Sequence, residues 1–178
     1  MSHQTILVLD FGSQYTQLIA RRLRELNVYS EIVPFNTPFE ALRAREPVGI
    51  ILSGGPSSVS DTGAPKCDAQ VFELGTPVLG ICYGMQLMTD VLGGEVRRSG
   101  HREFGHAQVT VRGNGTTPRL FSDVQNALRV WASHGDDVGA VPPGFAVAAT
   151  SSTARRTPIP HRSTDRRCGT RGNGCWSA

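Results

Sequence analysis

The chain lacks any long apolar run: nothing in its 178 residues approaches the ~20 that a membrane-spanning helix needs. It holds only four cysteines, none closely paired, which excludes a disulfide framework and points to free thiols in a reducing compartment, hence the cytoplasm. Cys168 and Cys175 have no histidine at zinc-ligand spacing, so no metal site is expected. Met1-Ser2-His3-Gln4-Thr5 has neither a basic segment nor a cleavage site, so a secretory leader is not expected. There is no internal repeat, and no glutamate follows Glu103.

Charge of one sign is also missing where the formal +3 would suggest it. Residues 1–150 carry 12 basic and 14 acidic side chains, whereas residues 151–178 carry six arginines and only Asp165. The basic excess therefore belongs to a short tail, and such an arginine-rich tail reads as solvated rather than as a nucleic-acid surface. No nucleic-acid or membrane partner is expected. A length of 178 residues with 39% hydrophobic content suits one soluble domain that buries a sizeable core.

What is present is a strand-to-helix corner. Pro77-Val78-Leu79-Gly80 is a short apolar strand; Gly80-Ile81-Cys82-Tyr83-Gly84 follows, and helical spacing begins at once with Met85, Leu87, Met88, Val91 and Leu92. Glycines on both sides permit a turn sharp enough to isolate the central side chain, the layout of a nucleophile elbow with cysteine in the serine position. The start of the following helix favours the thiolate. Cys82 is thus the candidate nucleophile, against the plainer reading of a buried free thiol at a strand end.

The rest of the chain supports an α/β class with an open, mostly parallel sheet flanked by helices. The run 5–10 is continuously apolar, as in a strand buried on both faces. A helix follows, with Tyr15, Leu18, Ile19, Leu23 and Leu26 as its expected sheet-facing stripe. Strands are expected at 28–33 and 48–52, and helices around 38–45 and 69–74. Phe11-Gly12-Ser13, Ser53-Gly54-Gly55-Pro56 and Cys82-Tyr83-Gly84 all fall at strand C-termini, where such sheets gather their sites. One glycine at position 12 does not make a phosphate loop. Beyond Gly94, shorter strands at 95–97, 107–111, 128–131 and 145–149, with a turn at Gly113-Asn114-Gly115, predict a small antiparallel extension. The expected division is a domain over 1–154, incomplete at its C-terminal end, and an irregular tail over 155–178.

Together these segments resemble the class I (triad-type) glutamine amidotransferases. The resemblance rests on Ile6-Leu7-Val8-Leu9-Asp10-Phe11-Gly12-Ser13-Gln14-Tyr15-Thr16-Gln17, Ile50-Ile51-Leu52-Ser53-Gly54-Gly55-Pro56, the Cys82 elbow, Arg102-Glu103-Phe104-Gly105 and Trp131-Ala132-Ser133-His134-Gly135-Asp136. It spans about residues 4–153, and the first and last segments point to the GMP synthase branch. It implies that Cys82 attacks the glutamine carboxamide, forms a γ-glutamyl thioester and releases ammonia. The backbone N–H groups of Gly55 and Tyr83 would hold the oxyanion. Gln86, one turn past Cys82, would grip glutamine together with a Ser133-His134-Gly135-Asp136 loop. The implied partner is an ATP-pyrophosphatase (synthetase) domain, which uses ATP and Mg to aminate xanthosine monophosphate to GMP; no cofactor is implied within this chain.

The residues alone leave plainer readings open. Gln86 suits a solvated helix position, Asp136 a helix cap, His134 the surface, and the Gly54-Gly55 corner a simple strand exit. Arg102 and Glu103 read as a structural ion pair, and Cys67 as an ordinary thiol.

One departure stands out. The family carries its general base in a late His-Pro-Glu segment, and this chain has none; after His134 its only histidine is His161. The pattern runs to about Ser151-Ser152-Thr153-Ala154 and then gives way to Arg155-Arg156-Thr157-Pro158, an abrupt change that predicts a reading-frame shift followed by early termination. A closing strand and helix of the sheet are expected to be missing. Three functions follow: a glutamine-hydrolysing domain, a non-catalytic relic or glutamine-binding pseudoenzyme, and a different elbow-cysteine protein such as a thiol hydrolase or redox sensor.

Overall fold

Four parallel strands follow from the apolar runs. In the computed structural model, which describes residues 4–111, 121, 124–151, 158–162 and 175–177, β1 (Thr5–Asp10) pairs in parallel with β2 (Tyr29–Pro34) and β3 (Gly49–Leu52). β3 pairs in turn with β4 (Val78–Gly80). Leu7, Val8, Leu9, Ile50 and Leu52 are fully buried or nearly so, as a parallel strand covered on both faces requires. Between the strands run α1 (Thr16–Glu25), α2 (Phe39–Arg43), a 3₁₀ turn at Ala69–Glu73 capped by the Asp68 carboxylate, and α3 (Tyr83–Val91).

The chain divides into two compact bodies: Met1–Met88 with Thr164–Ala178, and Thr89–Ser163. The second is antiparallel. β5 (Glu95–Val111) pairs with β6 (Ala127–Ala140) and β7 (Phe145–Ser151), and β7 pairs with β8 (Pro158–Arg162). Val109, Val111, Phe121, Ala148 and Ala149 form its core, with Leu128 and Val130 packed alongside.

Four expectations are corrected. Two short strands expected at 95–97 and 107–111 are one strand, β5, of 17 residues. The polar stretch between them hid the continuity, because ladder pairing uses backbone groups and tolerates charged side chains; the register slips between Arg98 and Glu103, a bulge-like break. Ser133 to Asp136, expected as a loop, lie within β6. On α1 Thr16 and Ala20 are buried and the expected Ile19 and Leu23 are half-buried, whereas Tyr15, Leu18 and Leu26 are exposed at 65%, 45% and 73%. Thr16 takes an inward place at the start of the helix and donates its hydroxyl to Asp10 Oδ1 at 2.8 Å. Lastly, the stretch expected to be irregular contributes β8 and also β9 (Cys175–Ser177), which pairs in parallel with β4. No side-chain periodicity announces β9, because its three residues are recruited through the backbone donors and acceptors of β4. The Gly113-Asn114-Gly115 turn and Cys168 lie outside the described residues.

Candidate active site

β4 is only three residues long, so its backbone reaches the corner with little slack. The Ile81 N–H still donates to the Leu52 carbonyl at 3.0 Å, extending the ladder by one bond. The next residue, Cys82, has φ 51°, a left-handed conformation that costs a non-glycine residue on the order of 1–2 kcal/mol. The N–H groups of Met85 and Gln86 then donate to the Cys82 carbonyl at 3.0 and 3.1 Å, so α3 starts on the cysteine itself. Such strain persists only where the surroundings enforce it.

The two glycines are part of that enforcement. A β-carbon on Gly84 would collide with the Leu52 carbonyl and lie 2.6 Å from Leu52 Cβ; one on Gly80 would lie 2.6 Å from Met85 Cα. Helix and strand approach too closely there for any side chain. The Gly84 N–H donates to both Ile81 and Ser53 carbonyls, at 3.0 and 3.1 Å. The Cys82 side chain is left half-buried above this corner.

Three strand exits converge within the parallel body. A β-carbon on Gly54 would sit 3.6 Å from Cys82 Cβ and 3.5 Å from Ser13 Oγ, so the exits of β1 and β3 flank the cysteine. Gly55 lies against Phe11, where a β-carbon would be 2.7 Å from the Phe11 carbonyl oxygen. Tyr83 is 1% exposed; its ring packs 5.5 Å from that of Phe11, and its hydroxyl donates to the Pro65 carbonyl at 2.5 Å. Gln86 is 4% exposed, so it is a buried polar residue one turn past Cys82 and not a solvated one.

Ser133, His134, Gly135 and Asp136 belong to the antiparallel body. They lie on β6, with Ser133 opposite Phe104, His134 opposite Glu103 and Asp136 opposite Arg98. Asp136 is buried on this strand and caps no helix, and Gly135 is exposed. Arg102 and Glu103 are described by their place on β5 alone.

Among the described residues of the parallel body there is no histidine. His106 is exposed on β5, its ring 5.1 Å from that of Trp131, and His161 stands opposite Ala146 on β8. The other described free cysteine with side-chain detail, Cys67, is buried, and burial pushes its thiol up to about 11. It stays protonated at neutral pH and is a poor nucleophile. No three His, Cys, Asp or Glu side chains group as metal ligands among the described residues, and no described helix is long and apolar enough to cross a membrane. A cavity of about 390 Å³ opens at the ends of β1 and β2, lined by Phe11, Gly12, Ile32, Val33 and Phe35 among others, but none of the candidate site residues lines it.

Sequence reasoning passed over Ser53 as an individual. It is fully buried, and its hydroxyl accepts from the Phe11 N–H at 3.0 Å and donates to the Gly54 carbonyl at 2.9 Å. The available signal was a serine wedged between an apolar strand and a glycine pair.

The family model for glutamine amidotransferase class-I matches residues 7–170. The glutamine-hydrolysing GMP synthase of Bacillus velezensis is 56% identical over 149 residues, covering 84% of this chain and 28% of that protein. That of Methylococcus capsulatus is 54% identical over 156 residues, covering 85% and 30%. The chain thus spans less than a third of the length of these relatives. A crystal structure from Thermoplasma acidophilum, provisionally assigned as one subunit of a GMP synthase, superposes with a TM-score of 0.78 at 26% identity, covering all of this chain and 83% of that one. A glutamine amidotransferase from Thermotoga maritima shares the fold, with a TM-score of 0.67 at 23% identity and coverage of 88% and 70%. The chain belongs to the class-I glutamine amidotransferase family.

Proposed function

We propose that this chain is the glutamine-hydrolysing part of a GMP-synthase-type amidotransferase, with Cys82 as the nucleophile. The observation that carries the reading is Cys82 at φ 51°, held between two glycines that admit no β-carbon, at the start of α3. The thiolate attacks the side-chain carboxamide of glutamine, giving a tetrahedral oxyanion and then a γ-glutamyl thioester as ammonia leaves. The Gly55 and Tyr83 N–H groups stabilise the oxyanion; losing one such donor typically costs about 3–4 kcal/mol. Gln86, with Ser133, His134, Gly135 and Asp136, is assigned to gripping glutamine. The ammonia serves an ATP-dependent synthetase partner that converts XMP to GMP, and the likeness to GMP synthases supports that assignment.

The polypeptide of this sequence carries no His-Pro-Glu, and that decides its expected rate. In the class I resemblance the histidine of that segment takes the cysteine's proton and returns one to the departing nitrogen. A helix N-terminus lowers a thiol pKa but shuttles no proton to an amine. We therefore expect negligible glutaminase activity, which makes a glutamine-binding pseudoenzyme the second reading. Ammonia release from glutamine by the purified chain should match a Cys82→Ala control, and release well above that control overturns the expectation. A version extended with a His-Pro-Glu-bearing family C-terminus should gain activity; no gain removes the explanation by the missing base. Peroxide-dependent sulfenic acid at Cys82 without labelling by a glutamine-like electrophile would favour the sensor reading.

A further inference from the structure

Ser53 is the only residue whose described hydrogen bonds reach all three strand exits around Cys82. Its N–H donates to the Leu9 carbonyl at 3.1 Å, and its carbonyl accepts from the Gly84 N–H at 3.1 Å. Its hydroxyl accepts from the Phe11 N–H and donates to the Gly54 carbonyl. That last bond orients more than the carbonyl it touches. The Gly54 carbonyl and the Gly55 N–H belong to one planar trans peptide, so they point in opposite directions. Fixing one fixes the other. Two adjacent glycines supply no side chain that could hold this plane by packing, and glycine is the residue whose backbone rotates most freely.

We propose that Ser53 is a positioning residue: its buried hydroxyl sets the plane of the Gly54–Gly55 peptide, and with it the aim of the Gly55 N–H. The inference rests on the reading of Cys82 as an acyl-forming nucleophile with Gly55 as an oxyanion donor. The same hydroxyl holds the Phe11 N–H, and the Phe11 carbonyl is the wall that Gly55 lies against. Without it the peptide loses the bond that sets its plane, and the Gly55 N–H is held less firmly toward the developing charge. Removing an aligned donor outright lowers rate about 10²–10³-fold, and loosening one should lower it at least about tenfold.

The test must read oxyanion stabilisation independently of proton transfer to the leaving group. A γ-glutamyl p-nitrophenyl ester suits this. The thiolate attacks the carbonyl carbon, the C–S bond forms, and the C–O bond breaks with its electron pair leaving on p-nitrophenolate, so the leaving group needs no proton. Alkylation of the same sulfur by iodoacetamide is a direct displacement with no oxyanion. The expected result is a Cys82-dependent nitrophenolate burst in the unmodified chain. In Ser53→Ala that burst should be at least about tenfold slower, with alkylation of Cys82 changed less than about twofold. Ser53→Thr, which keeps the hydroxyl, should restore the ratio, and Ser53→Val, its near-isostere, should not. This pair decides the question at constant shape if Ser53→Ala does not fold. Equal loss of acylation and alkylation, or no loss in either, overturns the proposal. Absence of any burst beyond a Cys82→Ala control instead overturns the reading of Cys82 on which it rests.

Discussion

The two bodies solve the same problem, holding functional groups still, by different means. In the parallel body the strand exits are tied to one another by long-range backbone bonds: Ser53 to Leu9, Gly84 to Ser53 and Ile81 to Leu52. Close approaches there leave no room for a β-carbon at Gly80, Gly84 or Gly55. In the antiparallel body the candidate residues Ser133 to Asp136 are held by the ladder of a long ribbon, and a β-carbon on Gly135 would meet nothing within 4 Å. A site built on strand exits is over-determined and intolerant. One built along a ribbon is spaced by the ladder and locally permissive.

A pair of glycine substitutions is the sharpest way to break this contrast. Gly84→Ala forces a methyl into the Leu52 main chain, which cannot relax as a side chain can, and should destabilise by at least about 3 kcal/mol, the upper end for overpacking. Gly135→Ala should stay within about 0.5 kcal/mol, since the space is open and alanine loses less entropy in a strand. Urea unfolding of both variants reads this directly, and equal effects would remove the distinction between the bodies.

Cavity-forming changes should follow the same order on a smaller scale. Leu7→Ala, at a fully buried site on β1, is expected to cost about 3–4 kcal/mol. Val109→Ala in the smaller antiparallel core should cost about 1.5 kcal/mol, from two methyl groups at about 0.8 each. Thermal melts that rank Val109→Ala above Leu7→Ala would show that the antiparallel core is the more tightly packed.

The thiols give a pH test. Cys67 ionises near 9.0 in its ordinary state and near 11 when buried, so the folded chain holds that proton longer than the unfolded one. Stability is therefore intact below about pH 9 and drains as pH rises toward 11. Cys67→Ala should flatten that decline in urea midpoints. In the folded chain at pH 8, iodoacetamide should modify Cys82 well before Cys67, as peptide mass spectrometry will report. Preferential labelling of Cys67 would contradict its burial.

The smallest effect belongs to the surface. Hydrogen bonds from Arg22, then Arg21, hold the Glu25 carboxyl below its usual range. That contribution is present above the ordinary carboxylate value and fades as pH falls through the lowered one. The partners are exposed and screened, so Glu25→Gln should leave the melting temperature unchanged within error at pH 7.

Much of this was legible from residue order. Apolar runs buried on both faces announce themselves, so β1, β3 and β4 were readable to within a residue or two. The Cys82 corner was readable because two glycines at fixed spacing leave few backbone alternatives. The α1 face was read in part: Ile19 and Leu23 are half-buried beside the smaller Thr16 and Ala20, while Tyr15 and Leu18, which also fit a helical apolar spacing, are exposed. The β6 placement of Ser133 to Asp136 was missed because a polar run carries no period-2 signal when its pairing is made by backbone alone.

Residue order by itself determined β1, β3, β4 and the elbow, because burial on two faces and a glycine-flanked turn are local demands written into the side chains. Tertiary structure alone decided that Ser53 joins three strand exits and that β9 pairs along β4. The ladder of β9 on β4 and the bonds of the Ser53 N–H and carbonyl join backbone groups distant in the chain, and the Ser53 hydroxyl adds a bond to the Phe11 N–H. Every residue carries such groups, so composition and spacing cannot say which of them will meet.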